Sequence, residues 1–98
     1  MPIVWSPLAV DQARDIASYI ALDKPSAAEL WIDELFKCVE RLQEFPESGR
    51  VVPEINRKNI REIILGHYRV IYKVTPNRID VLVVKNYRQI LQDSEVGP

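Results

Sequence analysis

Two apolar segments meet at Gly66-His67, and this junction limits the folds open to the chain more than any other feature. Residues 61–65 and 68–74 are rich in isoleucine, valine and tyrosine, residue types that favour strands. A glycine between two such segments is typical of a turn. Together with the apolar residues 79–84, the two segments predict the centre of a small antiparallel sheet.

Arg69 is the unusual residue of this sheet, because it places a cation inside an apolar strand. Side chains of a strand alternate between the two faces of the sheet. Arg69 is therefore expected to share one face with Ile71 and Lys73, opposite the tyrosines of the same strand. Function is one candidate reason for a cation in this position.

The first half of the chain predicts a hairpin of two helices. Ser6 followed by Pro7 suits a helix start, because serine caps the first turn and proline fits the first helical position. Alanine and isoleucine then recur at helical spacing until residues 23–26, where Pro25 ends the first helix and begins the second. A second apolar stripe, in which Trp31 and its neighbours are expected to be core, continues to about Phe45.

The predicted fold class is α+β. It has an N-terminal strand at residues 2–6, an αα-hairpin, an ordered loop to about Asn59, and a three-stranded antiparallel meander, which form a small sheet packed on two helices. The 98 residues suit a single domain, residues 1–98, in which residues 89–98 are expected to be a loose or partner-dependent tail.

Composition is that of a soluble cytoplasmic protein. Apolar residues make up 47% and charged residues 28% of the chain, and no segment approaches the length of a membrane span or has the pattern of a signal peptide. The single Cys38 has no partner for an intrachain disulfide, which fits a reducing compartment. No spacing of ligands suggests a metal site, and no cofactor is expected.

The two halves of the chain differ in charge. Residues 1–49 have four lysines and arginines against nine acidic residues, whereas residues 50–98 have nine against five. This asymmetry predicts an acidic helical layer and a basic sheet layer. The basic layer would suit nucleic acid or an acidic protein surface, unless ordinary surface charges have segregated by chance.

Arginine, lysine and tyrosine on a sheet admit more than one function. Fixed arginines can hold a phosphodiester and neutralise charge in a phosphoryl-transfer transition state, as in a metal-independent ribonuclease. Arginine and tyrosine also anchor protein interfaces. Arg69 alone could instead pair with Glu62 or a helix carboxylate as a structural ion pair. His67 is the only histidine, and its place at a turn favours a surface or hydrogen-bonding role over catalysis.

The sequence resembles the RelE/ParE superfamily of bacterial toxins, and most closely its ParE branch. The resemblance covers nearly the whole chain and is carried by Trp5-Ser6-Pro7 with Ala9 and Ile16; Tyr19-Ile20 and Pro25 with Ala27-Ala28; Leu42, Phe45-Pro46 and Gly49-Arg50; Arg61-Glu62; Tyr68-Arg69-Val70-Ile71-Tyr72; and Val83-Val84 with Tyr87-Arg88.

This resemblance implies the toxin of a type II toxin–antitoxin module, neutralised by a small antitoxin that wraps around it. ParE-like members inhibit DNA gyrase by binding, without enzymatic activity. RelE-like members are ribosome-dependent ribonucleases that cut mRNA, and Arg69 and Arg88 match or lie near two of their catalytic arginines. The chain lacks the lysine cluster of that branch and has no tyrosine or histidine after Tyr87-Arg88 to act as a base.

We therefore expect a toxin that binds gyrase and a cognate antitoxin, as a homodimer or a toxin–antitoxin hetero-oligomer. The alternatives are a ribosome-dependent endoribonuclease using Arg69 and Arg88, and a non-toxic module that binds an antitoxin. The candidate residues for binding the target or the antitoxin are Arg50, Arg61, Arg69, Tyr72, Lys73, Tyr87 and Arg88.

Overall fold

The computed structural model describes all residues 1–98 and contains two helices and five strands. In chain order these are β1 (Ile3–Trp5), α1 (Pro7–Asp23), α2 (Pro25–Glu40), β2 (Arg50–Val51), β3 (Ile60–Leu65), β4 (Tyr68–Val74) and β5 (Ile79–Asn86). Single 3₁₀ turns lie at Arg41–Gln43 and Asp93–Glu95. None of the helices is both long enough and apolar enough to cross a membrane.

The strands form one sheet in the order β1-β5-β4-β3-β2. Strands β2 to β5 pair antiparallel, and β1 lies parallel to β5 at the edge of the sheet. The predicted α+β class, the αα-hairpin and the meander are confirmed. The strand β2 was expected to be loop, because a two-residue strand close to Pro53 leaves little periodic signal in the sequence.

Local signals in the sequence set the ends of the helices. The Ser6 hydroxyl accepts a hydrogen bond from the Ala9 amide at 3.0 Å, and Pro7 occupies the first turn of α1. Lys24 lies in an extended conformation between the helices, and Pro25 starts α2. The connection is therefore one residue long, which forces the two helices into an antiparallel hairpin.

The helices cover one face of the sheet, here called the helical face. Residues from α1, α2, β4 and β5 form its largest apolar cluster: Ala9, Ala17, Trp31, Leu35, Val39, Val70, Val81 and Val84. Two small residues of α1, Ala9 and Ala17, are buried in this cluster. The core of the domain therefore lies between the helical hairpin and the sheet.

The opposite face of the sheet is also covered, although no helix packs on it. The tail after β5 folds back across this second face, where Leu91 and Val96 are buried against Val52, Ile60, Ile71 and Val83. An ion pair of 2.6 Å between Lys85 and Glu95 fixes the tail further. The segment expected to be loose is therefore packed, because its two apolar residues cover the face that the helices leave open.

Gly49 and Tyr72 join the end of the helical layer to the sheet. Tyr72 is fully buried, and its hydroxyl donates to the Pro46 carbonyl at 2.8 Å and accepts from the Gly49 amide at 2.9 Å. A Cβ atom on Gly49 would lie 2.6 Å from both the Glu62 carbonyl oxygen and the Tyr72 hydroxyl. Only glycine fits at this position.

We predict that Gly49→Ala destabilises the protein by about 1–3 kcal/mol, because the added methyl group displaces either the β3 backbone or the Tyr72 ring. The midpoint of thermal unfolding should fall by about 4 °C or more. The neighbouring substitution Ser48→Ala, at an exposed position, should change the free energy of unfolding by less than about 0.5 kcal/mol. Equal midpoints for the two variants would show that the Gly49 backbone is not tightly enclosed.

Candidate partner-binding site

The Arg69 side chain lies buried on the second face of the sheet and is surrounded by hydrogen-bond acceptors of the chain itself. Only 4% of the surface of Arg69 is exposed to solvent. Its Nε donates to Glu62 Oε1 at 2.7 Å, and its two terminal nitrogens donate to the two Glu54 carboxylate oxygens at 2.6 and 3.1 Å. A further bond of 3.0 Å joins Nη1 to the Gln89 carbonyl. All but one of the N–H donors of Arg69 are therefore in use.

Arg50 completes a group of four charged residues that we call the Arg69 cluster: Arg50, Glu54, Glu62 and Arg69. The Nε of Arg50 donates to the second oxygen of the fully buried Glu62 at 2.6 Å. The Arg69 hydrogen bonds lower the pKa of Glu54 to about 2, and Glu54 in turn raises the pKa of Arg69. Two arginines face two glutamates, so the formal charges of the cluster sum to zero.

The Arg69 cluster has balanced charges, and nearly all N–H donors of Arg69 are already bonded. Both facts limit its ability to bind an anion. A phosphate would have to displace Glu54 or Glu62 from Arg69, and either displacement would leave a carboxylate without its main cation. The Leu91 amide also donates to Glu54 at 3.1 Å, so the tail holds this carboxylate in place. The cluster therefore joins β3, β4, the loop after β2 and the tail.

Beside the Arg69 cluster lies an exposed group that we call the arginine–tyrosine rim, formed by Arg50, Ile64, His67, Tyr87 and Arg88. The His67 and Tyr87 rings stack with their centroids 6.2 Å apart, and the Arg88 guanidinium carbon lies 5.5 Å from the Tyr87 ring centroid. Tyr87 and Ile64 are 45% and 49% exposed. A cleft of about 640 Å³ is lined by Arg69 and Glu54 together with every residue of the rim except Arg88.

The other predicted site residues lie elsewhere. Arg61 faces the helical layer and donates to the carbonyls of Glu47 and Gly49. Tyr72 is fully buried and both of its hydroxyl contacts are internal, so it is inaccessible to a partner in this structure. Lys73 donates to the Pro98 carbonyl at the far end of the second face. Of the seven candidates, the structure thus gathers Arg50, Arg69, Tyr87 and Arg88.

A second surface was not anticipated from the sequence. It is an apolar groove of about 850 Å³, here called the hairpin groove, between the connection of the two helices and the turn from β3 to β4. Tyr19, Leu22 and Leu30 line it and are 71%, 85% and 63% exposed. Below them the buried Trp31 indole Nε1 has no hydrogen-bond partner. Exposed apolar groups of this extent mark an interaction site.

The chain is a small α+β domain with an ion cluster of balanced formal charge and two exposed surfaces, the rim and the hairpin groove. Comparison with known families gives the family of the chain. The model of the family described as "ParE toxin of type II toxin-antitoxin system, parDE" matches residues 3–91, and the chain belongs to this family of toxins.

The chain is also similar to two known proteins, one by sequence and one by fold. A protein of Sinorhizobium fredii named "Putative toxin Y4kP" is 29% identical over 89 residues, which cover 89% of this chain and 88% of the relative. A solved structure titled "Chromosomal ParDE TA system from P. aeruginosa" contains a chain with the same fold. The TM-score is 0.72 at 20% identity, and the match covers 88% of this chain and 95% of that chain.

We predict that Arg69→Ala destabilises the protein by roughly 3–5 kcal/mol, because it leaves the buried Glu62 and the adjacent Glu54 without their shared cation. Urea unfolding of purified protein measures this loss. A buried and paired Arg69 is the structural alternative raised by the sequence, so this variant is not a clean test of target binding.

The matched control is Arg78→Ala, which breaks an ion pair of 2.8 Å with Asp80 in which the Arg78 side chain is 56% exposed. It should reduce the free energy of unfolding by less than about 1 kcal/mol. If Arg69→Ala is as stable as Arg78→Ala, the Arg69 cluster does not stabilise the fold.

Proposed function

We propose that this chain is a toxin that binds DNA gyrase in the bacterial cytoplasm and is neutralised by a cognate antitoxin. The family assignment supports a toxin of this type. The observation that carries the mode of action is the saturation of Arg69, whose donors are held by Glu54, Glu62 and Gln89. A toxin that acts by binding does not need a free cation at this position.

The same observation argues against the ribonuclease alternative. Catalysis on a phosphodiester requires donors that are free to meet charge developing in the transition state. Here Arg69 faces carboxylates instead, and the Arg88 guanidinium rests near the Tyr87 ring and donates to its hydroxyl at 3.1 Å. The only histidine, His67, stacks on Tyr87, with no carboxylate bonded to its ring to orient it as a base.

The arginine–tyrosine rim is the surface that best suits the target. Arginine and tyrosine contribute a large share of the binding energy at protein interfaces. The Arg50 side chain is 64% exposed although its Nε is bound to Glu62, so its remaining donors are free for a partner. Ile64 adds an exposed apolar group to the rim. We assign Arg50, Tyr87 and Arg88 to target contact.

The hairpin groove is the surface that best suits the antitoxin. Its exposed Tyr19, Leu22 and Leu30 would be covered by the apolar side of an amphipathic helix. Asp23 and Glu34 are also in its lining, so a partner with basic residues beside its apolar stripe fits best. Binding here would give a toxin–antitoxin hetero-oligomer in which the groove is no longer exposed to water.

The first test concerns the target. Purified protein should inhibit DNA supercoiling by gyrase and should leave ribosome-bound mRNA uncut in a translation reaction analysed by primer extension. The double variant Tyr87→Ala/Arg88→Ala should lose at least about tenfold in inhibition, because it removes two of the three residues assigned to target contact. Arg78→Ala, which changes an arginine outside the rim, should inhibit normally. Codon-specific mRNA cleavage with normal supercoiling would overturn the proposal in favour of the ribonuclease.

The second test concerns the antitoxin. The product of the neighbouring reading frame should co-purify with this chain and restore growth when both are expressed. Leu30→Glu should weaken the complex by about tenfold to a hundredfold, since burial of one leucine contributes roughly 1.5–3 kcal/mol. Leu8→Glu is the matched control, because Leu8 is 51% exposed on α1 and lies outside the groove. Equal effects of the two variants would exclude the groove as the antitoxin site.

A further inference from the structure

The strand β5 is longer than the strand that covers its outer edge. It has eight residues, and β1 pairs only with Ile79, Asp80 and Val81. Beyond Val81 the chain of β1 turns away into α1, and residues 82–86 have no strand beside them on that side. An uncovered sheet edge has backbone groups that need other partners.

Side chains occupy the places that a neighbouring strand would take. The Ser6 hydroxyl donates to the Leu82 carbonyl at 2.9 Å. The Val84 amide donates to Gln12 Oε1 at 2.8 Å, and the Asn86 amide donates to Gln89 Oε1 at 3.3 Å. These are alternate residues of β5, as expected for the backbone groups along one edge. The side chains of Ser6, Gln12 and Gln89 thus make the hydrogen bonds that a neighbouring strand would otherwise make.

Space for a strand lies beside this edge. A groove of about 610 Å³, here called the edge groove, lies between α1 and the tail and contains Gln12, Val84, Asn86 and Gln89 in its lining. Tyr19 and Tyr68 line both this groove and the hairpin groove. A segment that leaves the hairpin groove therefore enters the edge groove directly.

The charge of the edge groove indicates what kind of segment fits. Asp15 on its α1 wall is exposed and forms no ion pair, whereas Glu95 on the tail wall is paired with Lys85. One uncompensated carboxylate therefore faces the groove. A lysine or arginine on the incoming segment would complement it.

We infer that an extended segment of the antitoxin, with a basic side chain opposite Asp15, docks in the edge groove and pairs with β5 as a sixth strand. A backbone carbonyl of the segment replaces Gln12 at the Val84 amide, and the next outward carbonyl replaces Gln89 at the Asn86 amide. Main-chain pairing of this kind gives affinity that depends little on the sequence of the added strand. This inference rests on the proposed function.

Amide hydrogen exchange of the full chain, alone and in complex with the co-purified product of the neighbouring frame, tests the pairing. The amides of Val84 and Asn86 should exchange at least about tenfold more slowly in the complex. Ile64 is the matched control, because it lies on the edge of β3 beyond the two residues paired with β2. Its exchange should slow much less.

Charge reversal tests the same contact by affinity. Asp15→Lys should weaken the complex by about tenfold, whereas Asp33→Lys, an exposed position on α2 outside both grooves, should weaken it by less than about twofold. Unchanged exchange at Val84, or equal effects of the two reversals, in a complex that still depends on Leu30 would overturn this inference and leave the proposed function intact. Failure of the neighbouring product to bind at all would overturn both.

Discussion

The buried ion pairs of Arg69 are the interaction on which the second half of the structure depends. Burial of a charge is unfavourable unless it is paired and hydrogen-bonded, and Arg69 meets this condition only by drawing together β3, the loop after β2 and the tail. Each of these segments contributes an acceptor: Glu62, Glu54 and Gln89. The tail in turn brings Leu91 and Val96 over the apolar face. One charged side chain thus organises a layer that has no helix of its own.

The sequence predicts the helices and the meander well because local signals specify them. Ser6-Pro7 and Pro25 define the starts of the two helices, and Gly66 defines the turn of the central hairpin. The packed tail and β2 are harder to predict, because their contacts join distant parts of the chain. Glu54 and Leu91, for example, are 37 residues apart. No local sequence pattern indicates such a pairing. The tail is a short polar segment with two apolar residues, which is also the composition of a loose tail.

Only some residues of the candidate site could be predicted from the sequence. Both faces of the sheet are covered, so alternation along β4 does not reveal that the Tyr72 side chain is fully buried. Tyr87 follows the end of β5 and is exposed, and no strand periodicity applies to it. The hairpin groove did leave a signal. Leu22 and Leu30 lie outside the apolar stripes of their helices, and large apolar residues on the polar side of an amphipathic helix indicate a contact beyond the core. The signal therefore lies in the residues that depart from the amphipathic pattern of the helices, not in those that follow it.

The parallel pairing of β1 with β5 has a consequence for synthesis of the protein. Residues near the start of the chain bond to residues near its end, as in the Ser6 contact with Leu82 across 76 positions. Contacts this distant in sequence form late. A nascent chain on the ribosome can form the αα-hairpin early, but it cannot close the sheet until β5 has emerged. A growing polypeptide therefore lacks the finished arginine–tyrosine rim, whereas the helices that line much of the hairpin groove are made first.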